Sequence, residues 1–246
     1  MIQNILVVGG ANGIGLSIAE EMALRDTTQH VYIVDKVPLQ EKYAHPKIQS
    51  FLFDLREQDY SFFDRFDTID ALMITAGFGH LAHFRDISEE HIIDSFEVNT
   101  LAALRLIKRF FPRIEGPEDF YCGVMVSMAG WMSSPLFSVY GATKAALKSF
   151  IESVNVELEK AGSINRILDV SPGSIKGTSF DNGKTDLAVT RDLTRAILSH
   201  LEAKDDLYIP RYEEIYKAVL QRYHADFRKE GLHSYDYKMN SGRFKG

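Results

Sequence analysis

The 246-residue chain is poor in cysteine, tryptophan and proline, with one, one and seven of them. The lone Cys122 excludes an internal disulfide, so the fold has to be held by its core, and a reducing, cytoplasmic compartment is expected. Long apolar runs are also missing: the opening stretch at 5–8 is too short for a signal peptide or a membrane span. Basic residues are not in excess. A formal net charge of −6 offers no basic face to nucleic acid or an anionic membrane, which leaves a small molecule as the expected partner. No fixed-period repeat or low-complexity linker divides the chain.

What remains is an ordinary globular balance, 45% hydrophobic and 25% charged, enough to bury one core and to predict a single domain over 1–246. Short β-branched runs at 2–8, 31–35, 48–53, 71–75, 123–127 and 167–171 read as buried strands, and each is followed by a helix-length segment. Such alternation predicts right-handed crossovers and an α/β fold: a doubly wound parallel sheet with helices on both faces. After a strand-like stretch at 207–210, Tyr212, Tyr216, Val219, Leu220, Tyr223 and Phe227 recur at helical spacing. The segment 211–246 is thus expected to be a helical extension that gives way, from about Gly231, to a loop or tail.

The first strand runs into Gly9-Gly10-Ala11-Asn12-Gly13-Ile14-Gly15 and then a helical pattern. A dinucleotide pyrophosphate needs a tight turn, a backbone free of side chains and helix N-terminal amides, and glycines provide all three. Twenty residues beyond Gly15, Asp35 ends the second strand, where a carboxylate accepts from ribose hydroxyls and repels a 2′-phosphate. NAD is therefore expected over NADP, with Lys36 next door softening the preference.

Tyr140 and Lys144 lie one helical turn apart in the segment 138–159. A phenol is a poor base at neutral pH unless a cation favours the phenolate, which Lys144 is placed to supply. Ser127 ends the fifth strand at the sheet's carboxyl edge, where open α/β folds bind ligands. Each alone is more often structural. His80 and His83 have a metal-like spacing but no third ligand, so no metal is expected; they are placed at the edge of the cleft. Trp131, Met132, Leu136 and Phe137 are candidates for an apolar pocket wall.

Together, Ser127, Tyr140, Lys144 and the G-x3-G-x-G spacing of Gly9, Gly13 and Gly15 resemble the short-chain dehydrogenase/reductase family, from about Ile2 to Pro210. The resemblance implies an oxidoreductase in which Tyr140 exchanges the substrate proton, Ser127 orients the oxygen, and Lys144 stabilises the phenolate and binds the ribose. It also implies that Asp54 and Leu55 touch the adenine, that Ala76 and Gly77 follow the fourth strand, and that Asn99 holds a water linked to the lysine. Pro172, Gly173 and Ile175 would meet the carboxamide. Three departures stand out: Val8 precedes the glycines where threonine is usual, Ile74-Thr75 replace two asparagines, and Gly177 takes a threonine's place with Thr178 one later. The substrate is expected to be a secondary alcohol or ketone, with hydroxysteroid-like and aromatic compounds as the candidates. A 3-oxoacyl-thioester reductase and a non-catalytic NAD-binding sensor or scaffold are the alternatives. Family members often end in an apolar-glycine tail used in tetramer contacts, whereas this chain adds over thirty residues after Pro210, so a homodimer or a homotetramer is expected.

Overall fold

The computed structural model describes residues 1–178 and 184–241. Seven strands form one parallel sheet in the order β3-β2-β1-β4-β5-β6-β7. They are β1 Asn4–Val8, β2 His30–Asp35, β3 Ile48–Leu52, β4 Ala71–Ile74, β5 Tyr121–Met125, β6 Ile167–Val170 and β7 Leu207–Tyr208. The helices are α1 Gly13–Ala23, α2 Glu89–Phe96, α3 Ala102–Glu115, α4 Ser138–Ala161, α5 Leu187–Ala203, α6 Lys217–Ala225 and α7 Phe227–Asn240. This is a Rossmann-like single domain, as the alternation predicted.

The sheet is buried on both faces, which explains why its strands read as near-continuous apolar runs. Along β1, Leu6 and Val8 face a core shared with α3 and α4, while Ile5 and Val7 face one shared with α1 and α5. Each such Val, Leu or Ile contributes about 1.5–3 kcal/mol on burial, and a one-residue slip would exchange the two cores. Register is thereby set, with Val8 opposite both Val34 and Ile74. The strand order reverses at β1, from which the chain leaves towards β2 on one side and returns to β4 on the other. Carboxyl ends diverge there and open a crevice.

Three local readings differ from expectation. Ser127 lies two residues beyond β5, where its hydroxyl accepts from the Ala129 N–H at 3.1 Å and starts a short 3-10 turn. The expected tail after Gly231 is instead most of α7. Asp226 caps that helix by accepting from the Arg228 and Lys229 N–H groups at 3.1 and 3.0 Å. Gly231, unfavourable in a helix, is tolerated because it lies against the loop at Ser133 and Pro135. The apolar stripe does not form one face either: Tyr216 and Leu220 pack against Met128 and Ile209, whereas Phe227 is exposed. Among the described residues no helix is long and apolar enough to cross a membrane.

Candidate active site

An elongated cavity of about 1090 Å³ runs along the carboxyl ends of the strands, from Asp54 and Asp35 past the glycine loop to Ser127, Tyr140 and α7. At its centre, the β1–α1 loop depends on two glycines. Gly9 sits at φ 87°, and a Cβ there would overlap the Ala76 backbone. A Cβ on Gly15 would overlap the Gly9 carbonyl and the Thr75 hydroxyl, so only glycine lets α1 start this close to the sheet. Val8 cannot brace this turn. Thr75 does so from β4's end, its hydroxyl lying 3.1 and 3.0 Å from the Val8 and Gly9 carbonyls. One departure from the family pattern thus compensates another.

Asn12, Gly13, Ile14 and Gly15 reach the cavity wall, and the Gly13 N–H donates to the Thr185 hydroxyl at 3.0 Å. Asp35 faces the same space and accepts from the Ala11 and Val37 N–H groups at 3.0 and 3.2 Å. Beyond it Leu55 and Asp54 line the cavity, and Arg56 at 2.7 Å holds the Asp54 carboxyl below the usual carboxylate range. Ala76, Gly77, Pro172, Gly173 and Ile175 also line it. Gly177, at φ 75°, turns the chain so that Thr178 reaches the wall beside Gly13 and donates to the Ile175 carbonyl at 2.7 Å. Of the short polar segment between Thr178 and Ala188, residues 179–183 lie outside the described residues.

Ser127 and Tyr140 meet at the cavity wall, and a hydrogen bond between them partly offsets the effect of burial on the phenol, which is pushed up to about 12. Lys144 lies behind that wall with its Nζ 5.8 Å from the Tyr140 ring and donating to the Met125 carbonyl at 2.7 Å. Burial pushes it down to about 8. Asn99 sits in a π-helical turn, Glu97–Leu101, between α2 and α3. Its amide bonds both the N–H and the carbonyl of Phe78, at 2.9 and 2.8 Å, and reaches the Thr143 hydroxyl at 3.2 Å. A Cβ on Gly77 would lie 3.2 Å from Asn99 Oδ1 and 3.3 Å from Lys144 Nζ, so both groups flank the same spot.

The far end of the cavity was not legible in the sequence motifs. Ile215, Tyr216 and Val219 approach from one side and His233, Ser234 and Tyr237 of α7 from another. Lys238 ties α7 to the loop before α4, donating to Ser134 Oγ at 2.7 Å and the Pro135 carbonyl at 2.8 Å. Arg222 grips Glu230 through two bonds, at 2.8 and 2.9 Å, and joins α6 to α7. The helical spacing of Tyr216 and Val219 was the one available signal. Of the four pocket-wall candidates, Met132 and Phe137 line the cavity; Trp131 packs towards Met128 and Ile209, and Leu136, at φ 66°, is buried. His80 and His83 do not edge the cavity, because His80 packs on His91 at 5.4 Å and His83 on Tyr235 at 6.1 Å. Among the described residues no three His, Cys, Asp or Glu side chains cluster to hold a metal ion.

A glycine loop, a strand-end acid, and a serine and tyrosine along one cavity with a lysine behind them define a class, and comparison identifies it. The chain belongs to the short chain dehydrogenase family, whose family model matches residues 3–187. It is similar to 11-beta-hydroxysteroid dehydrogenase 1A of Arabidopsis thaliana, 26% identical over 213 residues covering 77% of this chain and 58% of that one. The chain spans about half to two-thirds of the length of the curated relatives it matches. Among solved structures, a short chain dehydrogenase/reductase from Burkholderia phymatum in complex with NAD superposes with a TM-score of 0.76 at 16% identity, covering 93% of this chain and 95% of that one. ElxO with NADP bound superposes with a TM-score of 0.69 at 18% identity, over 86% and 99%.

Proposed function

We propose that this chain is an oxidoreductase that transfers a hydride between a nicotinamide dinucleotide and the carbinol or carbonyl carbon of a secondary alcohol or ketone. The observation that carries this reading is the meeting of Ser127 and Tyr140 on the cavity that begins at the glycine loop, with the buried Lys144 amine 5.8 Å behind the Tyr140 ring. The residues fit a dinucleotide: Gly9 and Gly15 let the N-terminus of α1 begin close against the sheet at the cavity, and Asp35 lines the same space. Gly9 to Gly15 would hold the pyrophosphate, Asp35 the adenosine ribose, and Pro172 to Ile175 the nicotinamide end. Asp35 favours NAD over NADP, because its charge opposes a 2′-phosphate. When bound, the nicotinamide supplies or accepts the hydride.

The chain's own residues handle the proton. The Tyr140 phenol, with its ordinary range raised by burial, holds its proton at neutral pH and can donate it to a ketone oxygen. In the oxidation direction the Lys144 cation lowers the energy of the phenolate that receives the alcohol proton. Ser127 donates to the reacting oxygen and aligns it. Asn99 and Lys144, both against Gly77, mark the route by which the proton leaves. At the far end, Met132, Phe137, Ile215 and Val219 present apolar surface and Tyr237 and His233 polar groups, which suits an apolar alcohol with a hydrogen-bonding remote end. The hydroxysteroid dehydrogenase among the relatives supports that class.

A panel of hydroxysteroids, aromatic secondary alcohols, the matching ketones and a 3-oxoacyl thioester, assayed with NAD(H) and NADP(H) by nicotinamide absorbance, tests the reading. Turnover of an apolar alcohol or ketone is expected, and Tyr140→Phe should lower it by about 10²–10⁴ while cofactor binding persists. Dinucleotide binding without turnover of any compound would favour a sensor instead.

A further inference from the structure

We propose that Asp169 is a positioning residue for this site: a buried counter-charge that keeps the Lys144 amine protonated and, through Ser171, anchors Trp131 and the turn that carries Ser127. The inference rests on the reading of Lys144 as the cation of the reaction. No motif pointed to Asp169, and its place in the fold is unusual for a carboxylate. It lies in the middle of β6, paired with Val124 of β5 and Leu207 of β7, and is 2% exposed. Its neighbour on the same face two residues earlier, Ile167, belongs to the core under α4. A carboxyl in that position weakens the core unless its charge is used.

One oxygen is engaged and the other is not. Asp169 Oδ1 accepts from Ser171 Oγ at 2.6 Å, and Ser171 Oγ accepts in turn from Trp131 Nε1 at 2.9 Å. Oδ2 is buried with no hydrogen-bond partner among the described residues. An acid needed only as an acceptor for Ser171 is satisfied equally by asparagine, so the second oxygen calls for a different account. Among the described residues, the charged groups that act on Asp169 all come from α4: Lys148, Glu152 and Lys144. Lys144 donates to the Met125 carbonyl, one residue along β5 from the register partner of Asp169. In a low-dielectric interior an ion pair need not touch to matter. Burial pushes Asp169 up to about 6, opposed by the Ser171 hydrogen bond, by Lys148 and then by Lys144, and pushes Lys144 down to about 8, opposed by Asp169, so both are charged between those values.

The other branch of the network is mechanical. Trp131 closes the turn that Ser127 opens, its N–H donating to the Met128 carbonyl at 3.1 Å and the Gly130 N–H to the Ser127 carbonyl at 2.9 Å. Lys148 Nζ lies 4.3 Å from the centroid of the Trp131 ring. The indole is therefore held between Ser171 and Lys148, and the position of Ser127 follows from it.

Trp131 is the chain's one tryptophan, so its fluorescence reports this network directly, without substrate or cofactor. In the wild-type protein the emission should change with an inflection near pH 6 as Asp169 titrates, and Ser171→Ala should abolish that inflection. For the charge, the side-chain nitrogen of Lys144 is followed by NMR in lysine-labelled protein, with Lys144→Met to assign the signal. Asp169→Asn should make Lys144 titrate at least about one pH unit lower, a tenfold loss of proton affinity, whereas Ser171→Ala should leave it where it was. Where substrate turnover is found, Asp169→Asn should move the lysine-dependent limb of the pH–rate profile by the same amount. A folded Asp169→Asn protein with unchanged Lys144 titration overturns the counter-charge. If that variant does not fold, absence of the inflection near pH 6 from wild-type emission overturns the proposal by itself. A chain that turns over nothing yet shows both shifts would favour the sensor over the oxidoreductase reading and leave the Asp169 network standing.

Discussion

Replacing Lys144 by methionine exchanges a buried cation for a neutral chain of similar length, and the structure sets both sides of the balance. Burial brings the amine down to about 8 from 10.5, so holding the charge in the folded state at pH 7 costs about 3 kcal/mol at 1.36 kcal/mol per pH unit. Against this, the variant leaves the Met125 carbonyl without its donor, a loss of about 1–3 kcal/mol. The net expectation at pH 7 is a variant at least as stable as the wild type, by about 1 kcal/mol, and without turnover. The pH dependence is sharper than the net value. Because the folded-state amine titrates below the unfolded one, the wild-type penalty is complete below about pH 8 and disappears as pH rises through 10.5. Urea unfolding of both proteins from pH 7 to 10 should therefore show the stability gap moving in favour of the wild type by about 2–3 kcal/mol. Parallel curves over that range would refute the assignment of a buried, depressed lysine. Greater stability with lost function is the usual signature of an active-site charge held in place by its surroundings.

Gly173→Ala puts a methyl group where the Tyr216 hydroxyl lies, so it should cost about 1–3 kcal/mol and raise KM; in a Tyr216→Ala background the same substitution should cost much less, and additive effects in this cycle would contradict the contact. Asp35→Ala should weaken NAD binding and narrow the preference over NADP about tenfold, read by calorimetric titration of both at equal ionic strength; tighter wild-type binding of NADP would contradict the sign. Cys122 is buried and its thiol is pushed up to about 12, so a thiol reagent should modify it only on unfolding, and Cys122→Ala should keep turnover while lowering stability by about 1 kcal/mol.

Much of this protein was determined locally and was therefore readable in its sequence. Strand cores buried on both faces wrote themselves as β-branched runs, and the β1–α1 loop as glycines, because the constraint and the residues that answer it are neighbours in the chain. Tyr140 and Lys144 share a helix face by spacing alone. The tertiary structure decided the rest. Thr75 bracing the turn after Val8, Tyr216 against Gly173, and the chain from Asp169 through Ser171 to Trp131 join segments distant in sequence that meet only when the sheet is assembled. Helix α7 is the clearest case. Its residues are polar and include Gly231, so no amphipathic pattern announces a helix; docking on the loop at Ser133 to Pro135, with Lys238 bonded there, supplies stability that propensity withholds and places α7 over the cavity.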